Sequence, residues 1–242
     1  DTQATDIARS LEGAPLDASW VGERIAETLC GGENDFKLKG YAAPESSAIR
    51  GLMSDACRLE LIWDGDVSSA GMPSTVFYKK VTLGDLEYAR TKAVTQPMKI
   101  ARDVKSAGVE AAFLACEPVA SALAAAGVRV PRCFNADLRP REDDPIESAF
   151  ALLLKDFAPG QGWRSERLLS PSQARASLTA LARLHATFMP AAAAARTEGE
   201  PGDDSLLAGA AAAIWPSGAY WQPDMQPPEQ MTELAQIWRD IH

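Results

Sequence analysis

The chain has 242 residues, of which 46% are hydrophobic and 24% are charged, and its formal net charge is −9. This composition is typical of a globular protein with one large domain or two lobes. The acidic balance argues against a nucleic-acid-binding protein, which would normally present a basic face. No apolar run approaches the roughly 18 residues that a membrane-spanning helix needs, so we expect no membrane segment.

Four cysteines occur, Cys30, Cys57, Cys116 and Cys133, and none has C-x-x-C spacing or a paired histidine. A zinc site is therefore not expected. Four cysteines in a chain of this length do not make a disulfide scaffold. We expect free, buried thiols in a reducing compartment, which favours a cytoplasmic location.

The first 35 residues are predicted to form a lead-in and one helix. Residues 1–16 are polar and are interpreted as a loose lead-in. From Asp17 to Cys30 the apolar residues recur with helical spacing, and either Asp17 or Ser19 is the candidate N-cap. A Gly-Gly pair at 31–32 should end this helix.

Extended segments come next. Residues 36–43 alternate apolar and polar side chains, and 55–63 and 75–82 are typical of strands. A small-residue turn near 45–54 would join them into an antiparallel sheet. Residues 149–154 (AFALLL) form a continuous apolar run, which suits a strand buried on both faces.

Two helical stretches separate these strands, at 83–93 and from Met98 towards Ala126. Pro118 should kink or divide the second stretch, because it cannot continue the backbone hydrogen bonding of a helix. Residues 137–147 (DLRPREDDPIE) are interpreted as a charged loop.

The clearest helix signal follows Ser170, where a serine N-cap, a proline and Gln173 form a capping box. His185 falls on the predicted apolar face of this helix, and we interpret it as a core residue rather than a catalyst. Residues 190–208 are expected to be a linker, and 229–241 an amphipathic helix.

Two adjacent lysines, Lys79 and Lys80, lie in the strand 75–82, and Glu110 lies in the helical stretch that follows. A lysine on a strand and a glutamate on the next helix is the arrangement with which kinases hold nucleotide phosphates. The alternative is a solvated surface pair. Because adjacent strand residues face opposite sides of a sheet, only one of the two lysines can take this role.

Seven segments, in this order, resemble the ecdysteroid-kinase-like (CHK-kinase-like) proteins, which are relatives of the choline kinases and aminoglycoside phosphotransferases. The segments are GLMSDACRLEL (51–61), FYKKV (77–81), VEAAFL (109–114), GVRVPRCF (127–134), LLLKDFAPGQGW (152–163), LSPSQARASLTALARLHATF (169–188) and GAYWQPDMQPPEQ (218–230). The resemblance implies an α+β, protein-kinase-like fold. An antiparallel-sheet N-lobe would span 36–157 after the lead-in and helix of 1–35, and 158–242 would be the first, mainly helical part of an incomplete C-lobe.

The resemblance also implies an ATP-dependent phosphotransferase that acts on a hydroxyl of a small molecule, with ATP and Mg²⁺ as cofactors. Lys79, in the sequence Phe-Tyr-Lys, is the preferred phosphate-binding lysine, and Lys80 is the alternative one residue away. Glu110 would be the ion-pair partner. Ser47 would begin a phosphate-covering loop that ends at Asp55.

Lys155, Asp156 and Phe157 would be the hinge, whose backbone N–H and C=O groups meet the adenine edge. The family hinge usually reads Glu-Asp, so Lys155 departs from the pattern. Backbone contacts would be unaffected by this change of side chain.

Two parts of the family pattern, a His-Gly-Asp…Asn catalytic loop and a later metal-binding Asp motif, are not found in the sequence. We therefore expect no catalytic or metal-ligating residue in this chain, expect both motifs beyond residue 242, and expect the chain alone to be inactive. Two alternatives are a naturally short pseudokinase-like module that binds nucleotide or protein, and an α+β domain with no active site.

Overall fold

The computed structural model describes residues 4–31, 36–51, 53–65, 67, 71–197 and 228–241, and the chain is an α+β protein. The described helices are α1 (Ala4–Ile7), α2 (Ala18–Cys30), α3 (Glu87–Thr95), α4 (Pro97–Ala115), α5 (Glu117–Ala125), α6 (Pro171–Thr197) and α7 (Pro228–Ile241). The described strands are β1 (Leu38–Ala42), β2 (Ile49–Arg50), β3 (Asp55–Trp63), β4 (Thr75–Thr82), β5 (Cys133–Arg139) and β6 (Ala149–Lys155). Short 3₁₀ turns occupy Glu45–Ser47, Leu83–Asp85, Pro145–Glu147 and Pro159–Gln161.

These strands form one antiparallel sheet in the order β1-β3-β4-β6-β5, with the two-residue β2 paired to β3. The strands predicted at 55–63 and 75–82 are confirmed with the same bounds. The prediction of a loop over 137–147 is wrong for its first three residues. Asp137 and Arg139 lie in β5 opposite Ala151 and Ala149 of the apolar β6, and this pairing overrides their polar composition.

The sheet separates two layers of core. The α2 face of the sheet is built from side chains that pack against α1 and α2, namely Cys57, Leu59, Val76, Tyr78 and Leu153. The α4 face is built from side chains that pack against α4 and its neighbours, namely Phe77, Val81, Phe150, Leu152 and Leu154. Strand β6 is buried on both faces, as its continuous apolar run predicts.

The N-terminal segment is part of the main core, so its interpretation as a loose lead-in is wrong. Ile7 of the short helix α1 is 1% exposed and packs in the α2-face cluster. The Tyr78 hydroxyl donates a hydrogen bond to the Arg9 carbonyl at 2.9 Å, and the Tyr41 hydroxyl donates one to the Leu16 carbonyl at 2.9 Å. Ala4, Ile7, Ala8 and Leu11 recur with helical spacing, a short signal within a polar segment that the lead-in interpretation overlooked.

Residues close in sequence determine both ends of helix α2 and the start of helix α5. The Asp17 side chain accepts a hydrogen bond from Trp20 N at 2.8 Å, and Gly31 adopts a left-handed φ of 67° at the C-terminus of α2. The predicted division of the long helical stretch is confirmed, because α4 ends at Ala115 and Pro118 lies in the first turn of α5.

Helix α6 begins with the predicted capping box, in which Ser170 N donates to Gln173 Oε1 at 2.8 Å and Gln173 N to Ser170 Oγ at 3.3 Å. The predicted buried position of His185 is wrong, since its side chain is exposed. Phe188, which lies on the same predicted apolar face, does contact the α5 cluster, and Leu184 contacts it as well. The linker predicted from residue 190 is also wrong at its start, because α6 continues to Thr197.

The final predicted helix is confirmed as α7. The remainder of the predicted linker (198–208) and the aromatic segment 215–227 lie outside the described residues. No single helix in the described ranges has the length and apolar composition needed to cross a membrane. Helices α4 and α5 meet these two criteria only when they are counted together, and they are bent by 63° at the break between them.

Candidate functional site

The two adjacent lysines of β4 lie on opposite faces of the sheet. Lys79 is paired with Ala56 of β3 and Leu152 of β6, and strand alternation places it on the α4 face with Phe77. Lys80 alternates to the other face, where its charge lies near the Cys57 thiol. Only Lys79 therefore faces the helix that carries Glu110.

Glu110 projects from α4 and forms an ion pair with Lys79. The Lys79 ammonium lies 2.7 Å from Glu110 Oε1 and 2.6 Å from Oε2. The lysine side chain is 22% exposed and the glutamate 44% exposed. The carboxylate therefore fixes the direction of the lysine, while the ammonium retains access to solvent and hence to an anion.

The loop that was predicted to cover phosphates is held by Ser47, whose hydroxyl is turned into the protein. Its Oγ contacts the Pro44 carbonyl at 2.6 Å and accepts a hydrogen bond from Arg58 N at 3.1 Å. Ser47 is 8% exposed. Any phosphate contact by this loop would therefore come from its backbone, and the side chain of Ser47 acts as a support.

The rest of that loop is a tight hairpin between β2 and β3. Ile49 pairs with Ala56 and Arg50 pairs with Asp55. Gly51 N donates to the Ser54 carbonyl at 2.7 Å, and a Cβ at Gly51 would approach that oxygen to 2.9 Å. A glycine is needed at this turn because the carbonyl of Ser54 leaves no room for a side chain.

The three residues of the predicted hinge have different environments. Lys155 is exposed, and its backbone N–H donates to the Arg132 carbonyl at 2.7 Å. The Phe157 ring stacks on Trp163 with centroids 4.3 Å apart. Within the described ranges, no turn or loop hydrogen bond involves the backbone N–H or C=O of Phe157. The hinge prediction assigns the backbone groups of all three residues to the adenine edge, but the N–H of Lys155 is already bonded to Arg132.

The Asp156 side chain does not face solvent but is buried against Arg58 of β3. The carboxylate is 4% exposed, and both of its oxygens are contacted by the guanidinium, through Nε and through Nη2, the latter at 3.3 Å. The hydrogen bonds that Arg58 donates to Asp156 raise the pKa of Arg58 further above its ordinary value, so the arginine stays charged.

Sequence reasoning missed Arg58. The signal was a cationic residue between Cys57 and Leu59, both of which are fully buried. A charge in the middle of an interior strand requires a partner, because an unpaired buried charge is very costly. That partner, Asp156, is 98 positions away.

Burial also affects the Cys57 thiol on the opposite side of the sheet. Desolvation raises the pKa of Cys57 to about 11. All four cysteines are free, as predicted, but Cys57 alone among them is fully buried, and Cys30, Cys116 and Cys133 are partly exposed.

No metal site emerges from the described residues, among which no group of three or more His, Cys, Asp or Glu side chains is arranged to hold an ion. Comparison of the chain with protein-family models, with curated proteins and with solved structures finds no match.

Proposed function

We propose that this chain binds the phosphates of ATP through Lys79 and is the nucleotide-binding part of an ATP-dependent phosphotransferase that acts on a hydroxyl of a small molecule. The observation that carries the proposal is the ion pair between Lys79 of β4 and Glu110 of α4, at 2.6 and 2.7 Å. In protein kinases a strand lysine is held towards the nucleotide phosphates by a glutamate of the neighbouring helix. In this proposal the antiparallel sheet is the N-lobe of a protein-kinase-like fold.

The hinge supports the proposal independently. Lys79 lies opposite Leu152, which precedes Asp156 by four residues, so about 13 Å of strand separates the lysine from the hinge. One end of this strand segment offers a cation for phosphates. The other end offers backbone donors and acceptors for a base edge.

Phosphoryl transfer requires more than these two contacts. It needs a carboxylate that orients the hydroxyl, and oxygen ligands for Mg²⁺. We assign no residue of this chain to either role, because the His-Gly-Asp sequence does not occur in it and the described residues hold no metal cluster.

A non-catalytic, pseudokinase-like nucleotide-binding module is the second candidate, and it would use the same Lys79–Glu110 pair. Both candidates bind ATP. They differ in whether ATP is consumed. Because no catalytic residue is assigned within this chain, the first step is to follow the coding sequence past residue 242 for a His-Gly-Asp motif. ADP formation from ATP, Mg²⁺ and small alcohols by that longer protein would then support the phosphotransferase.

Isothermal titration with ATP tests the shared element. Replacing Lys79 with alanine should weaken ATP binding by about tenfold or more, since a charge-assisted contact to phosphate is lost. Lys80→Ala is the matched control and should bind ATP like the unaltered chain, because Lys80 lies on the opposite face. If neither substitution changes ATP binding, or the unaltered chain does not bind ATP, the proposal is wrong.

A further inference from the structure

We propose that Arg58 is a positioning residue that links the base-binding hinge to the phosphate-covering loop, a role that rests on the proposed function. Arg58 lies on β3, and its side chain and its backbone are held by different parts of the candidate site. Its guanidinium binds Asp156 in the hinge. Its backbone binds Ser47 at the start of the loop.

On the hinge side, Arg58 determines where Asp156 lies. The guanidinium contacts both carboxylate oxygens, so the pair has a fork-like geometry that restricts rotation as well as distance. Asp156 is 4% exposed, so water has little access to its carboxylate as a replacement for the arginine. Asp156 itself and its neighbour Phe157 carry the hinge backbone, so the position of this backbone depends on the Arg58 side chain.

On the loop side, the Ser47 hydroxyl contacts both backbone groups of Arg58. It accepts a hydrogen bond from Arg58 N at 3.1 Å and lies 3.3 Å from the Arg58 carbonyl oxygen. Two residues earlier in β3, Ala56 is the partner of both Ile49 in the loop and Lys79 in β4. The same short segment of β3 thus sets the loop, the lysine and the hinge relative to one another.

The contacts favour positioning over a direct role in binding phosphate. Arg58 and Lys79 are similarly exposed, at 24% and 22%, but the Asp156 carboxylate that neutralises Arg58 is only 4% exposed. Lys79, in contrast, shares its carboxylate partner with solvent, since Glu110 is 44% exposed. We therefore assign phosphate contact to Lys79 and alignment of the base-binding backbone to Arg58.

The test compares two probes, ATP and inorganic tripolyphosphate, by titration calorimetry on the whole 242-residue chain. Tripolyphosphate carries the phosphates without the base. Arg58→Met keeps most of the apolar stem and removes the guanidinium. It should weaken ATP binding by about tenfold, the scale of one or two backbone hydrogen bonds, and leave tripolyphosphate binding unchanged.

Two further variants, Asp156→Asn and its combination with Arg58→Met, test whether Arg58 and Asp156 act as a pair. Asp156→Asn removes the charge with little change of shape and should lower the ATP-to-tripolyphosphate affinity ratio as Arg58→Met does. The double variant should lower the ratio no further than either single one, because the two residues act as a pair. Arg141→Met is the matched control, since Arg141 also pairs with a carboxylate, that of Asp143, but at an exposed site.

Three results overturn the inference in distinguishable ways. If Arg58→Met lowers both affinities in parallel, Arg58 has only a structural role. If the affinity ratio is unchanged in Arg58→Met and Asp156→Asn while the unaltered chain binds both probes, the inference fails and the proposed function stands. If the unaltered chain binds neither probe, the proposed function fails and this inference fails with it.

Discussion

Lys79 and Glu110 meet at 2.6 Å although both side chains keep contact with solvent, at 22% and 44% exposure. An ion pair with this exposure contributes only about 0–1 kcal/mol to stability, because solvent screens the attraction and ordering two long side chains costs entropy. Its geometry is nevertheless well defined, since both carboxylate oxygens lie within hydrogen-bond distance of one ammonium. The pair is therefore better suited to orienting a lysine than to stabilising the fold.

Glu110→Gln should accordingly weaken ATP binding while leaving the stability of the fold nearly unchanged. We expect ATP affinity to fall by about tenfold, since the lysine loses the charge that orients it, and the free energy of unfolding to change by less than about 1 kcal/mol. Titration calorimetry and urea denaturation measure the two quantities. Glu87→Gln, at an exposed helix position of α3, is the control and should change neither. A loss of several kcal/mol in Glu110→Gln would show that the pair is structural.

The parts of the fold that sequence reasoning predicted are encoded locally. Asp17 caps α2, Ser170 and Gln173 cap α6, and each signal lies within a few residues of the bond that it forms. The run 149–154 predicted a doubly buried strand because burial of both faces requires apolar residues at every position. The preference for Lys79 over Lys80 as the phosphate-binding lysine stays a prediction, while the structure places Lys79 and not Lys80 against Glu110.

The parts that sequence reasoning did not predict depend on distant residues. Arg58 and Asp156 are 98 positions apart, so nothing near either residue identifies its partner. Ile7 shares a helical spacing with Ala4 and Leu11, but its burial depends on the packing of α1 on the sheet. His185 was misplaced for a related reason: the face of α6 that contacts α5 is set by α5, and it runs through Leu184 and Phe188.

Ile7→Ala should destabilise the protein by about 2–5 kcal/mol, which is the usual cost of removing a fully buried isoleucine side chain. Ile7 is 1% exposed within the α2-face cluster. Ile62→Ala is the control of the same residue type, and at 54% exposure it should cost less than about 1 kcal/mol. Urea denaturation of both variants measures the difference. Equal, small effects would mean that the N-terminal segment does not contribute to the core.

Stability should decrease in alkaline solution through the Cys57 thiol. Burial raises its pKa from 9.0 to about 11, so between these values the unfolded chain loses the proton while the folded chain keeps it. Because fewer protons are bound in the unfolded state, the free energy of unfolding falls as pH rises from about 9 to 11. A shift of this size corresponds to about 2–3 kcal/mol.

Cys57→Ala isolates this effect from the titration of lysines and tyrosines over the same range. The substitution removes the thiol, so the variant should lose about 2–3 kcal/mol less stability than the unaltered chain between pH 9 and 11. The measurement is the difference between two urea denaturation series at matched pH values. A difference that stays constant with pH would show that the thiol is not desolvated in the folded protein.

The contact between α6 and α5 can be tested with two residues one helical turn apart. Phe188 packs against the cluster of Val119 and Leu123, whereas His185 is exposed on the same helix. Phe188→Ala should cost about 2 kcal/mol, less than the 3–5 kcal/mol typical of a fully buried phenylalanine because the ring is only partly covered. His185→Ala should change the free energy of unfolding by no more than about 0.5 kcal/mol. Thermal and urea denaturation compare the two. If His185→Ala were the more destabilising substitution, the face of α6 that contacts α5 would run through His185, as the apolar periodicity of the sequence alone had indicated.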